Sequence, residues 1–236
     1  MMAIKDLIKK PADAVRSKAT LLRSIVRDNS AVAMVEFAFT APIVLGLGMM
    51  GTETAYFTIT HMQMSQIAMQ VADNASRVGE TDVLTERKIY ESDINGTFVG
   101  AEKLGDRYSI YERGRIVVSS LQHNGDDGQM IAWQRCRGAK QAASKYGVEG
   151  VGADNNSFVG MGNPSKPITA TSGTAVMFVE VFYTYNSLTP FELFEGRELE
   201  YTAAFNVRDN RDLTQIYNTD GDPVASCSVY SADRPV

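Results

Sequence analysis

Residues 31–60 read AVAMVEFAFTAPIVLGLGMMGTETAYFTIT and determine how the rest of the chain is organised. No charged residue lies between Glu36 and Glu53. In a helix with a rise of about 1.5 Å per residue, this stretch extends roughly 45 Å, more than the roughly 30 Å hydrocarbon thickness of a bilayer. The stretch is too long and too apolar for a helix in a soluble core, so we predict one transmembrane helix.

Two carboxylates flank the uncharged stretch. An ionisable group inside lipid costs on the order of 2.5 kcal/mol or more unless it is paired or lies near the interface. Glu36 is near the basic end of the segment, where the helix dipole favours a negative charge. From the residues alone, Glu36 is either the interfacial carboxylate of an ordinary signal anchor or a group with a function of its own. We expect Glu53, at the other end, to be interfacial.

Charge is unevenly distributed along the 236 residues. Residues 1–30 contain seven Lys or Arg and three Asp, a net charge of +4, whereas the remaining residues contain sixteen Lys or Arg and twenty-five Asp or Glu, a net charge of −9. Basic flanks stay in the cytoplasm, so we expect a cytoplasmic N-terminus and an exterior C-terminal domain. The acidic exterior domain argues against nucleic acid as a partner.

The apolar pattern continues beyond the membrane segment. Met64, Ile67 and Val71 recur at helical spacing, and Gly79 can end this amphipathic extension. We therefore divide the chain into a basic leader (1–30), a transmembrane helix with its extension (31–79) and an exterior domain (80–236).

The exterior domain alternates between helical and strand patterns, so we predict an α+β fold with an antiparallel sheet of about four strands. The expected strands cover residues 115–122, 129–137, 175–185 and 199–207. The expected helices are one begun by Thr81 or Asp82 and carrying Leu84 and Ile89, one over 94–104, and one over Ala139–Tyr146. We expect the rest of the 138–174 connection to be an exposed loop and a candidate contact surface.

The chain has two cysteines and two histidines, which limits the chemistry available to it. Cys136 and Cys227 both fall in the exterior domain, and we expect a disulfide between them, with two separate buried thiols as the alternative. The histidines lack ligand-spaced neighbours, so we predict no metal and no cofactor. Glu180 could be combined with Glu198 or Glu200 as a catalytic pair of carboxylates, but carboxylates on strands usually mark a solvated face. We expect no enzymatic activity.

Residues 24–218 carry a resemblance to a known family. The string RDNSAVAMVEFAFTAPIVLGLGMM, from Arg27, resembles the N-terminal region of TadE-like proteins (the TadE/TadG family) of the Tad/Flp tight-adherence pilus system. The shared pattern is a basic flank, a small residue, a short Ala/Val run, VEFA and an apolar stretch interrupted by proline. Three further strings resemble the exterior region of that family: IAWQRC from Ile131, FVEVFYTYNSL from Phe178 and VRDNRDLTQIY from Val207.

The resemblance implies a structural minor pilin or pseudopilin with a pilin-like fold, which takes part in pilus assembly. A membrane prepilin peptidase would cut between Ala31 and Val32, leaving Glu36 at the fifth position of the mature chain. The Glu36 carboxylate would then pair with the freed amino group of Val32 on a neighbouring subunit. Ala31 stands where the family pattern has glycine, and some family members remain uncleaved anchors.

The implied partners are the inner membrane, the prepilin peptidase, other pilins and pseudopilins, and the Tad secretion machinery. The implied location is the bacterial inner membrane, with a single span and a periplasmic C-terminal domain, and after assembly the extracellular pilus. The alternative is a permanently anchored single-span binding protein whose exterior domain recognises a pilus or envelope component. Processing of the leader distinguishes the two hypotheses.

Overall fold

The computed structural model of the chain describes residues 29–79 and 86–234, with side chains from Val32 onward. A long apolar helix is followed by a mixed α+β region with a four-stranded antiparallel sheet, so the predicted fold class is confirmed. The chain divides into two compact units, of which the first ends at Thr52 and the second begins at Glu53.

Helix α1 spans Asn29–Arg77, 49 residues with Pro42 inside. The helix ends two residues before Gly79, which has a φ of +124° that favours glycine. Arg211 is buried, and its guanidinium donates hydrogen bonds to the carbonyl oxygens of Ala75, Ser76 and Val78 at 3.1, 3.1 and 2.6 Å. A cation at this end satisfies the last carbonyls and complements the helix dipole.

Residues 86–113 depart in part from expectation. Arg87 and Tyr90 form parallel bridges to Arg211 and Tyr217, so the predicted helix does not include Ile89. Ile89 is buried in an extended segment because the backbone hydrogen bonds are made with residues distant in sequence, which a local pattern cannot reveal. The Thr81, Asp82 and Leu84 positions of that helix lie outside the described residues.

The second predicted helix in this region is confirmed. Helix α2 covers Glu91–Gly105 and buries Ile94, Phe98 and Ala101. A 3₁₀ turn, Asp106–Tyr108, and a short helix α3, Ile110–Arg113, then lead into the sheet.

The chain has six strands, of which β1 (Gly114–His123), β2 (Gln129–Arg137), β5 (Ala175–Thr184) and β6 (Glu198–Asn206) form one sheet and β3 (Met161–Asn163) and β4 (Lys166–Ile168) form a separate hairpin within the described residues. The order in the sheet is β2-β1-β5-β6, and every neighbouring pair is antiparallel. All four predicted strands are confirmed. β1 and β5 occupy the centre and are buried along almost their whole length, and the buried polar residues Ser119 and Ser120 of β1 accept hydrogen bonds from Gln134 and Gln122.

One face of the sheet packs against the part of α1 that belongs to the second unit. The helix contributes Met64, Ile67, Val71 and neighbouring small residues, and α2 contributes Ile94 and Phe98. The sheet contributes alternate residues of the central strands together with Trp133, the only tryptophan, which is 6% exposed. This cluster is the main hydrophobic core.

The opposite face is covered by the 138–174 connection, which we expected to be an exposed loop. Tyr146, Val151, Phe158 and Met161 pack against apolar side chains of the sheet. The connection also contains a small hairpin of β3 (Met161–Asn163) and β4 (Lys166–Ile168). Most residues of the connection are exposed, as expected, but the connection also covers this face of the sheet, because β5 is apolar on both faces and needs a cover on each side.

The helix predicted over Ala139–Tyr146 is also absent from this part of the described chain. Gly138 has a φ of +128° and approaches the backbone of Gly114 closely enough to exclude a side chain. The amide N–H of Lys145 donates to the Glu180 carboxylate at 3.0 Å instead of to a helical carbonyl. Contacts with the sheet therefore override the local helical pattern.

Candidate functional site

The first candidate surface is the apolar segment of α1 in the first unit. Between Val32 and Met50 the large apolar side chains are exposed, for example Met34 at 75% and Phe37 at 72%, except Met49, which is partly buried. α1 is the one helix of the described residues that is long and apolar enough to cross a membrane. The segment from Val32 to Thr52 extends roughly 32 Å at about 1.5 Å per residue, close to the hydrocarbon thickness of about 30 Å.

Glu36 is exposed within this segment. Its backbone carbonyl accepts a hydrogen bond from Thr40 Oγ1 at 2.8 Å. Within residues 29–79 and 86–234, no cation forms an ion pair with the Glu36 carboxylate. The Ala31–Val32 peptide bond, the predicted cleavage point, lies in the first turn of α1. The basic leader up to residue 28 lies outside the described residues.

Glu53 is the first residue of the second unit. We expected an interfacial side chain here, and the structure shows that the side chain is fully buried. Its carboxylate accepts hydrogen bonds from the Tyr185 hydroxyl at 2.7 Å and from the backbone N–H groups of Leu188 and Thr189 at 3.1 and 2.8 Å. Burial and the adjacent Glu53 carboxylate raise the pKa of Tyr185. Glu53 thus ties the loop after β5 to α1.

Aromatic rings surround this anchor. Phe57 stacks on Phe194 with centroids 4.4 Å apart and meets Tyr185 edge to face at 4.9 Å. Tyr56 lies 6.0 Å from the ring of Tyr185 and 6.2 Å from that of Tyr108. The loop is therefore held to the helix by packing as well as by the carboxylate.

The predicted disulfide between Cys136 and Cys227 is present and spans 91 positions, so the alternative of two separate thiols is wrong. Arg115 is buried beside it and donates to the carbonyl oxygens of Cys227 at 2.7 Å and Val229 at 3.0 Å. Its guanidinium also lies 4.0 Å from the Tyr230 ring centroid. Burial lowers the pKa of Arg115. These contacts hold the C-terminal tail on the sheet.

Glu180 does not lie on a solvated face, and the expectation that it would is wrong. The side chain is 1% exposed because the 138–174 connection covers that face of β5. Burial raises the pKa of Glu180, although the hydrogen bond from the Lys145 N–H favours the ionised form. Glu198 and Glu200 pair instead with Lys140 and Lys145 at the surface.

Comparison of the chain with models of known families, with curated proteins and with solved structures gives no match. The candidate site therefore has to be judged on its geometry. Sequence reasoning predicted the disulfide and singled out Glu36, but it did not predict what Glu53 and Arg115 do. For Glu53 a signal was available, since it is the charge that ends the apolar stretch. For Arg115, an arginine directly before the apolar run of residues 116–118 was the only indication.

Proposed function

We propose that the chain is a single-span membrane protein that acts as a minor pilin or pseudopilin of a Tad/Flp-type pilus system. The observation that carries this proposal is an exposed apolar segment on the same helix that continues into the core of a folded α+β unit, with a Glu36 carboxylate that has no ion-pair partner among the described residues. The helix supplies the anchor and the assembly surface. The folded unit is the part that remains in water.

The charge distribution supports the orientation. The leader carries a net charge of +4 in its thirty residues, and the positive-inside rule keeps such a flank in the cytoplasm. The second unit then lies on the exterior side, where a disulfide is stable. The Cys136–Cys227 bond agrees with this side of the membrane.

Glu36 supports assembly through the apolar segment. A carboxylate within lipid is costly unless a cation pairs with it. Val32 and Glu36 are four residues apart, so an ammonium created at Val32 by cleavage would lie about 6 Å, roughly one helical turn, from the carboxylate along the axis of the same helix. A neighbouring subunit displaced by about one turn would bring the two charges together.

N-terminal sequencing of protein from cells with and without the cognate peptidase tests the proposal. We expect a mature chain that begins VAMVEF only when the peptidase is present. An intact leader in both strains would overturn the pilin proposal and favour the permanently anchored binding protein.

A matched pair of variants tests assembly separately from membrane insertion. Glu36→Ala should insert normally and lose co-purification with other pilus subunits. Glu112→Ala removes an exposed carboxylate from the folded unit and should change neither property. Equal co-purification of the two variants would show that Glu36 has no role in assembly.

A further inference from the structure

The loop of residues 186–196, after β5, exposes three large apolar side chains. Leu188 and Phe191 are each 58% exposed and Leu193 is 42% exposed. The three occur within six consecutive residues of one loop. An exposed apolar cluster of this kind usually marks a contact with a partner or with a membrane.

This loop is closed and pre-organised. The Gly196 N–H donates to the Tyr185 carbonyl at 3.1 Å, and the Ser187 N–H donates to the Glu195 carboxylate at 2.5 Å. Glu195 in turn lies 3.5 Å from Arg113. Because the loop is ordered by its own hydrogen bonds, the exposure of its apolar side chains is a stable property of the unit.

Glu53, the residue that anchors the loop, is adjacent in sequence to the apolar segment. Leu188 and Thr189 donate their N–H groups to Glu53, which directly follows Thr52, the last residue of the first unit. If the segment before Glu53 crosses a bilayer, Glu53 lies at the level where that segment leaves the lipid. The hydrogen bonds then hold the start of the loop at the same level.

The surrounding rings fit this level of a membrane. Tyr56 and Phe57 follow Glu53 on α1, and Phe194 of the loop stacks on Phe57. Aromatic side chains, tyrosine in particular, concentrate at the boundary between lipid and water because they combine an apolar ring with a polar group. Tyr56 is partly exposed, as an interfacial ring would be.

We propose that loop 186–196 dips into the interfacial layer of the bilayer that α1 crosses, with Leu188, Phe191 and Leu193 as its lipid contacts. This inference rests on the membrane anchoring in the proposed function, but not on pilus assembly. The occupant is lipid because the loop is tied to the residue at which the apolar segment ends. The loop carries Glu192 and Glu195 and no lysine or arginine before Arg197, so its contact is apolar and needs no anionic lipid.

A single-cysteine label on the full chain tests the proposal. Both natural cysteines are joined in the disulfide, so a thiol introduced by Phe191→Cys reacts alone with an environment-sensitive fluorophore. Val159→Cys is the matched control, because Val159 is 62% exposed and lies near His123, at the opposite end of β1 from Gly114. Gly114 pairs with Tyr183, two residues before Tyr185, at the loop end of β5.

The labelled chains are reconstituted in phosphatidylcholine liposomes at about one copy per vesicle, and flotation confirms insertion. We expect the fluorophore at 191 to shift to the blue, to be quenched by lipid carrying a nitroxide near the headgroup, and to be shielded from iodide. The fluorophore at 159 should show none of these changes.

Iodide quenching at 191 equal to that at 159, without nitroxide quenching, would overturn the proposal. Shielding at 191 that appears only when many copies share a vesicle would also overturn it, in favour of a contact between copies. Failure of the chain to float with the liposomes would contradict the membrane anchor itself. That result is distinct from an inserted chain whose loop remains in water.

Discussion

Replacing Glu53 tests the link between α1 and the loop after β5. The carboxylate accepts three hydrogen bonds, from Tyr185, Leu188 and Thr189, and has no exposure to water. In Glu53→Gln, one acceptor oxygen becomes an N–H₂ group that faces a backbone donor. A buried N–H left without an acceptor costs about 1–3 kcal/mol. The neutral amide also avoids the desolvation of a buried charge, which offsets part of this cost. We therefore expect a net destabilisation below the upper end of that range, about 2 kcal/mol.

Tyr185→Phe is the matched variant, because it removes one of the three donors and leaves the carboxylate in place. We expect a loss of about 1 kcal/mol, and a double variant less destabilised than the sum of the single changes, since the two groups share one hydrogen bond. Urea unfolding in mild detergent, followed by the fluorescence of Trp133, measures the global change.

Hydrogen exchange at the Leu188 and Thr189 amides measures the local change caused by Glu53→Gln. A loss of about 2 kcal/mol of local stability corresponds to roughly thirtyfold faster exchange. Unchanged exchange at both amides, together with a wild-type urea midpoint, would refute the role assigned to the carboxylate.

Three further changes probe the second unit. Replacing Cys136 and Cys227 by serine should destabilise it by roughly 4 kcal/mol, because a loop of 91 positions is opened in the unfolded chain, and reductant should reproduce the effect in the natural chain. Glu180→Gln should stabilise the unit at neutral pH, because the raised pKa of Glu180 makes its ionisation unfavourable in the folded state. The advantage should vanish in urea titrations below about pH 4, where the carboxyl group is protonated in both states. A fragment of residues 53–236 should show a cooperative thermal transition by circular dichroism, and a fragment of residues 61–236 should melt lower, because it lacks Glu53 and the rings beside it.

The sequence predicted what depends on local pattern. An uncharged stretch of transmembrane length shows itself by composition alone, and the four strands were visible because their apolar and β-branched residues are grouped between turn signals. The disulfide could be inferred because only Cys136 and Cys227 were available to form one.

The sequence did not predict which segments cover the sheet. Because β5 is apolar on both faces, a layer of other residues had to pack on each face of the sheet. No local sequence pattern identified the 138–174 connection as the second of these layers. Glu180 was misplaced for the same reason, since its burial depends on that connection. Glu53 was expected at the membrane interface, but its partners lie more than 130 positions away in the sequence, so its hydrogen bonds could not be predicted from local pattern.

The contacts that hold residues 227–229 on the sheet have a consequence for the order in which the fold is completed. Arg115 donates hydrogen bonds to the carbonyls of Gly138, Cys227 and Val229, and Cys227 forms the disulfide with Cys136 of β2. Until residues 227–229 have been synthesised, the buried guanidinium of β1 has only the carbonyl of Gly138 among these acceptors. A chain whose residues 227–229 are still inside the ribosome cannot form these contacts, so the environment of Arg115 is completed only after both the sheet and this segment have emerged.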